Sequence, residues 1–232
     1  MELTTKRTGS ASAVMQDQKG FLEPDQVRKL ISRCGDPRFK LLMILAWRTG
    51  RRISELLELR PRDIFWKDKN IQWKIFKKRG FKGGVTTLLS TDTKTLELLE
   101  SYIYEFDIKD DEFFFFNSND KKKHFNRQYA DRELKRVGEV TGITTVGELL
   151  RNVRHGKEGH TYFIKQPTKL HWHHFRHSFA VNIARLVSTG ADLRNLQKQL
   201  CHEDIKTTSD YLAFNQKEAR ELLELNAKMN PL

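Results

Sequence analysis

Cysteine is scarce in this chain. Its two residues, Cys34 and Cys201, cannot build the disulfide framework of a small secreted scaffold, so a reducing, intracellular setting is expected. Long apolar runs are missing too. The longest, Phe39 to Trp47, already contains Lys40 and falls far short of a bilayer span. The N-terminal stretch is polar and lacks the apolar segment of a secretion signal. Acidic residues are outnumbered, with 30 Asp and Glu against 42 Lys and Arg and a formal net charge of +12. That balance points to a polyanionic partner, nucleic acid ahead of an acidic membrane surface, with a merely soluble basic protein as the alternative. The expected location is cytoplasmic and associated with DNA, with no membrane partner. Apolar residues still make up 38% of 232, enough to bury a core as one large domain or two small ones.

Residues 1–20 are rich in small and polar side chains and read as a flexible tail or linker, ahead of a single domain over 21–232. Helix signals follow. Pro24 suits a first turn, with Leu22, Val27, Leu30 and Ile31 at helical spacing; a more buried helix runs from Asp36 to a left-handed cap at Gly50; a short one carries Ile53, Leu56 and Leu57 and is halted by Pro61. Alternation at Ile71, Trp73 and Ile75, a glycine-containing basic loop and a resumption at Val85 predict a β-hairpin. A helix capped by threonine or aspartate is expected from Thr91 onward, the phenylalanine run 113–116 as a short buried strand or extended segment, and a helix over 123–141 stopped by Gly142. Residues 148–167 read as irregular with a small hairpin, and three closing helices are expected over 172–189, 191–200 and about 204–228. The fold class is mainly α with a small antiparallel β-sheet, α+β. The lysines at 67–69 and 121–123 read as solvated faces, with phosphate contact as the alternative.

Residues 171–180, HWHHFRHSFA, place four histidines and one arginine within seven positions. On a helix, His173, Arg176 and His177 share one side, while Phe175, Phe179, Ile183 and Leu186 form a core stripe on the other. His173 and His177 have the i, i+4 spacing of zinc ligands, but the glutamate of H-E-x-x-H is missing and an arginine on the ligand face would repel a dication. Half-buried structural histidines are the plainer reading. Elsewhere Arg52 opens a helix with Glu55 one turn on, an arrangement in which the arginine fork can clamp an anion while the carboxylate orients it. His202 stands at a turn, and Tyr211 follows nine residues later.

In order, the chain thus offers an arginine box TGRRISELLELRPRDI, a basic hairpin FKKRGFKGG, HHFRHSFA, and TGADLRNLQKQLCHEDIKTTSDYL. This order and spacing resemble the tyrosine recombinases, the phage-integrase and Xer-type family that shares its chemistry with type IB topoisomerases. The resemblance covers residues 21 to about 225 and implies the tyrosine-recombinase catalytic-domain fold. It implies catalytic roles for Arg52 rather than Arg51, with Glu55 as its companion, for His173 and Arg176, for His202, and for Tyr211 as nucleophile. It also implies a hairpin lysine, for which Lys78 is the first choice and Lys77 and Lys82 remain alternatives. Cys201 stands where the family usually has glycine, and a local backbone adjustment is expected there. His174 and His177 read as structural or supporting, and Trp172 as packing.

The chemistry is consistent with the residues. A tyrosine hydroxyl, with a pKa of about 10, is a poor nucleophile at neutral pH until a base takes its proton or a positive site favours the phenolate. The phosphodiester gains charge on its non-bridging oxygens as it becomes five-coordinate, and two arginine forks can meet it there, with His202 adding a hydrogen bond. His173 can take the tyrosine proton, and the lysine can protonate the departing 5′ oxygen. No metal or other cofactor and no ATP are called for, since the ester conserves the bond energy. The partners implied are double-stranded DNA and further copies of the chain, as a dimer or tetramer assembled on DNA. Family members usually carry a DNA-clamping helical domain before the first arginine box; with that box about fifty residues in, an isolated catalytic domain or a minimal recombinase is expected, with weak DNA binding either way. The segment after Tyr211 can dock on a neighbouring protomer or on its own domain. Three alternatives stay open: strand relaxation in the manner of a type IB topoisomerase, a catalytically silent DNA-binding module, and a histidine-rich metal protein.

Overall fold

The computed structural model describes residues 20–76, 84–155, 160–184 and 190–201. Local signals set most helix ends. Helix α1, Pro24–Arg33, starts on its proline, and Gln26 Oε1 accepts the Glu23 amide at 2.9 Å. Helix α2, Pro37–Thr49, is entered through Asp36, whose carboxylate accepts the Arg38 amide at 2.9 Å, and it stops on Gly50 at φ 62°. The short α3, Ile53–Leu57, follows at once, and Pro61–Asp63 form a single 3₁₀ turn. Strands β1 (Ile64–Phe65), β2 (Asn70–Ile75) and β3 (Val85–Ser90) make an antiparallel sheet in that order, with Ile71 opposite Leu89 and Ile75 opposite Val85. Asp92 caps α4, Thr93–Phe106, by accepting the Thr95 amide at 3.0 Å. Strands β4 (Phe116–Asn117) and β5 (Asp120–His124) form a tight hairpin, and Asn126 caps α5, Arg127–Thr141, which ends on Gly142 at φ 72°. A hairpin of β6 (Thr145–His155) and β7 (His160–Lys169) leads into α6, His173–Ala184, and then α7, Gly190–Leu200.

One core joins α1–α5, the three-stranded sheet and the start of α6 through residues such as Leu30, Leu42, Ile71, Leu99, Phe114 and Phe175, none more than 0% exposed. Each such side chain contributes about 1.5–3 kcal/mol by leaving water. A second cluster of Phe179, Ala180, Ala184, Leu196 and Leu200 holds α6 against α7. Phe113, Phe114 and Phe115 are buried as expected but lie ahead of the strand, which takes up only Phe116 and Asn117, and Trp172 packs on Phe175 with ring centroids 5.5 Å apart. No described helix is long and apolar enough to cross a membrane.

The structure departs from the sequence reading in four further places. There are three small sheets among the described residues, not one. The segment read as irregular with a small hairpin is one long hairpin, in which a bulge leaves Gly147 without a partner between the Val146–Thr168 and Glu148–Pro167 pairs. That extra residue breaks the alternation that would have marked a strand. The helix expected from residue 123 begins at Arg127, because Lys123 and His124 are taken up by β5. Finally, the lysines at 121–123 are not merely solvated: Lys121 Nζ donates to the carbonyls of Phe106 and Asp107 at 2.6 and 3.0 Å, closing the end of α4, where positive charge suits the helix dipole.

Candidate active site

The site forms where three segments distant in sequence meet: the turn after α2, the start of α6 and the end of α7. Gly50 makes the meeting feasible. Its left-handed φ of 62° is cheap only for glycine, and a methyl group on it would overlap the Phe179 ring and come within 3.2 Å of Leu200 Cδ2. With no side chain in the way, α6 lies directly over the turn.

Arg52 stands at the head of α3. Its backbone amide donates to Glu55 Oε2 at 3.1 Å and its Nη1 to Glu55 Oε1 at 2.9 Å, so one fully buried carboxylate fixes both the backbone and the fork. The Arg52 side chain is 24% exposed, against 1% for that of Arg51, which leaves Arg52 the one of the pair with a face to offer an incoming anion. Arg51 turns inward, and sequence reasoning gave it no role. No local signal could have supplied one, because its burial depends on the far end of α7.

Arg176 is buried, at 2% exposure. Its Nη1 donates to the Gly50 carbonyl at 2.8 Å and its Nη2 to the Leu200 carbonyl at 2.5 Å. The amphipathic picture of α6, with one oily and one cationic side, is therefore corrected. His174, Phe175, Arg176 and Ser178 are all buried, His177 is half-buried, and His173 is exposed. The arginine is tolerated inside because carbonyls on both flanking turns accept its donors.

The histidines stack in pairs. His171 and His174 lie 3.8 Å apart in parallel, and His173 meets His177 edge-on at 4.4 Å. His174 Nδ1 accepts the His171 amide at 3.0 Å, so the neutral ring carries its proton on Nε2. Desolvation, joined by the charges of His177 and Arg176 and, more weakly, Arg52, pushes His173 down to about 3. Desolvation and His171 push His174 down to about 3, and desolvation and Arg176 push His177 down to about 4. At neutral pH His173 is an uncharged ring beside two arginines, a group able to accept a proton. No group of three or more His, Cys, Asp or Glu is placed to hold a metal ion among the described residues.

Below Arg176, Ser178 Oγ accepts the buried Leu22 amide at 2.7 Å and donates to the His174 carbonyl at 2.6 Å. The first described residues are thereby tied to the helix that carries His173 and Arg176, a link the sequence did not announce. Cys201 closes α7 at φ 50°, the left-handed conformation that glycine adopts freely. The backbone keeps the glycine-like turn rather than adjusting away from it. Of the residues predicted for the site, Arg52, His173 and Arg176 are brought together here, while Lys77, Lys78, Lys82, His202 and Tyr211 lie outside the described residues.

This mainly helical fold is that of a tyrosine-recombinase catalytic domain. The crystal structure of XerA recombinase superposes with a TM-score of 0.61 at 22% identity, covering 89% of this chain and 64% of that one. The structure of XerH site-specific recombinase bound to palindromic difH substrate, a post-cleavage complex, gives 0.58 at 20% identity, covering 88% and 52%. The family model described as phage integrase family matches residues 20–218, and the chain belongs to that family. Among curated relatives, the tyrosine recombinase XerA of Pyrococcus horikoshii is 24% identical over 203 residues. That match takes in 88% of this chain but 60% of the relative, so the chain spans less than two thirds of the length of the protein it matches.

Proposed function

We propose that residues 21–232 are a catalytic domain that cleaves and rejoins duplex DNA through a 3′-phosphotyrosyl intermediate, in integration, excision or resolution. The observation that carries this reading is the double hold of Arg176 on the Gly50 and Leu200 carbonyls. It gathers the turn presenting Arg52, the helix bearing His173, and the end of α7 one residue short of Cys201 and two short of His202. The DNA-bound XerH neighbour, a post-cleavage complex on a similar fold, supports DNA as the substrate.

In the reaction, the Tyr211 hydroxyl oxygen attacks phosphorus and the P–O5′ bond breaks. The tyrosine proton passes to neutral His173, and the departing 5′ oxygen takes a proton from the hairpin lysine, Lys78 first. Arg52, Arg176 and His202 stabilise the charge that builds on the non-bridging oxygens. Arginine charge serves where another enzyme uses a metal, so the reaction proceeds in chelator. Rejoining reverses each step, with the 5′ hydroxyl as nucleophile. Copies of the chain assemble on DNA as a dimer or tetramer.

The test is covalent capture. Wild-type protein, Tyr211→Phe and Arg176→Ala are mixed with labelled nicked duplex in EDTA and denatured in SDS. A slow-migrating adduct from wild type that disappears in both variants is expected. Intact binding with no wild-type adduct contradicts the reading in favour of a silent DNA-binding module, and an adduct that persists in Tyr211→Phe contradicts the assigned nucleophile.

A further inference from the structure

Arg51 heads the fully buried side chains by size, and the proposed chemistry does not use it. Its Nη1 donates to Cys201 Sγ at 3.4 Å and lies 3.9 Å from Glu55 Oε2, and its Nε donates to the Thr49 carbonyl at 3.4 Å. Its Nη2 is buried with no hydrogen-bond partner among the described residues. As a stabilising device this is poor. An ionised guanidinium out of water is costly unless its donors are met, and an apolar side chain of similar volume commonly does as well or better. Arg51 also has only a share of its anion, since Glu55 holds Arg52 more closely, at 2.9 Å.

What the residue does have is position. Two left-handed residues, Gly50 at φ 62° and Cys201 at φ 50°, form the turns that lead to Arg52 and to His202. Arg176 joins the Gly50 and Leu200 carbonyls, and the Arg51–Cys201 contact joins the very next residue of each turn. Cysteine bears a conformational cost at φ 50° that glycine would not, and its sulfur is what meets the guanidinium.

We infer that Arg51 is a positioning residue for strand cleavage, setting the spacing between the Arg52 turn and the Cys201 turn that precedes His202, through Cys201 Sγ and Glu55. The inference rests on the proposed roles of Arg52 and His202 as phosphate ligands. It assigns Arg51 and Cys201 to one device: the Cys201 sulfur is of use to the site only while Arg51 is present.

The experiment compares wild type, Arg51→Met, Cys201→Gly and the double variant. Single-turnover cleavage of a nicked duplex is measured at saturating DNA, with DNA affinity and thermal unfolding followed in parallel. Misplacement of a catalytic group by about 1 Å costs on the order of 100-fold, so Arg51→Met should lower the cleavage rate by at least ~10-fold while DNA affinity stays within about 2-fold. Cys201→Gly, which relieves the turn and is expected to fold, should lower it by ~3-fold or more, and the double variant should be no slower than Arg51→Met because the contact is already lost. A wild-type rate in Arg51→Met overturns the inference, as do strictly additive losses. If Arg51→Met does not fold, Cys201→Gly decides, and an unchanged rate there overturns it. No adduct from wild-type protein would overturn the functional reading and this inference with it, whereas normal cleavage by the variants overturns the inference alone.

Discussion

Replacing Gly50 by alanine asks two things of the α2–α6 junction, and the chain contains a natural control that separates them. Gly142 ends α5 at φ 72° with nothing within 4 Å of where a methyl group would sit, so Gly142→Ala carries only the conformational cost of a left-handed L-residue, about 1–2 kcal/mol. Gly50 has nearly the same φ, 62°, but its methyl group would overlap the Phe179 ring and press on Leu200 Cδ2 at 3.2 Å. Overpacking of that kind adds about 1–3 kcal/mol. Gly50→Ala should therefore cost about 2–5 kcal/mol, and since 1 kcal/mol shifts Tm by about 2–4 °C at this chain length, the melting point should drop by roughly 4–20 °C. The excess over Gly142→Ala, about 1–3 kcal/mol, measures the packing alone. The same methyl group moves α6 off the turn and stretches the 2.8 Å bond from Arg176 to the Gly50 carbonyl, so strand cleavage should fall even at temperatures where the variant is fully folded. Urea unfolding of both variants and single-turnover cleavage are the assays. Equal destabilisation by the two substitutions would refute the close approach of Phe179.

Three more outcomes follow from the site. Ser178→Ala strips the buried Leu22 amide of its acceptor and should cost about 1–3 kcal/mol in urea unfolding, so a loss below about 0.3 kcal/mol would contradict the link. His174 is held down to about 3 in the folded chain against 6.5 unfolded, so the unfolded state binds the extra proton between those values. Stability should therefore be complete above pH 6.5 and fall as the pH drops toward about 3, by up to ~1.4 kcal/mol per pH unit from this group, and His174→Gln should flatten that slope in urea titrations at pH 7 and 5. His173, likewise lowered to about 3, should give a cleavage rate with no acid limb near 6.5. A midpoint near 6.5 in single-turnover rates, or an unchanged rate in His173→Gln, would contradict its role as proton acceptor.

Much of this was legible because helix ends are written locally. Pro24, Asp36, Gly50, Asp92 and Gly142 each act within a turn of themselves and sit where the sequence placed them, whereas the cap at Asn126 was missed and its helix was expected from residue 123. The pairing of Arg52 with Glu55 was legible for the same reason, being separated by three residues. Arg176 was legible as a type and a motif, but not as a buried one. Its carbonyl partners lie 126 and 24 residues away, and only the folded chain shows that both turns face the same helix. Arg51 was opaque on the same ground, since its sulfur partner is 150 residues on. The full length of the β6–β7 hairpin escaped because its bulge at Gly147 and the proline at 167 hide the two-residue period.

The covalent bond between Tyr211 and a 3′ phosphate is the most direct test of strand cleavage. Adduct trapped on nicked duplex, digested with nuclease and protease and sequenced by mass spectrometry, should carry its nucleotide remnant through a 3′ phosphate on Tyr211. A remnant on any other residue, or one joined through a 5′ phosphate, would contradict the account.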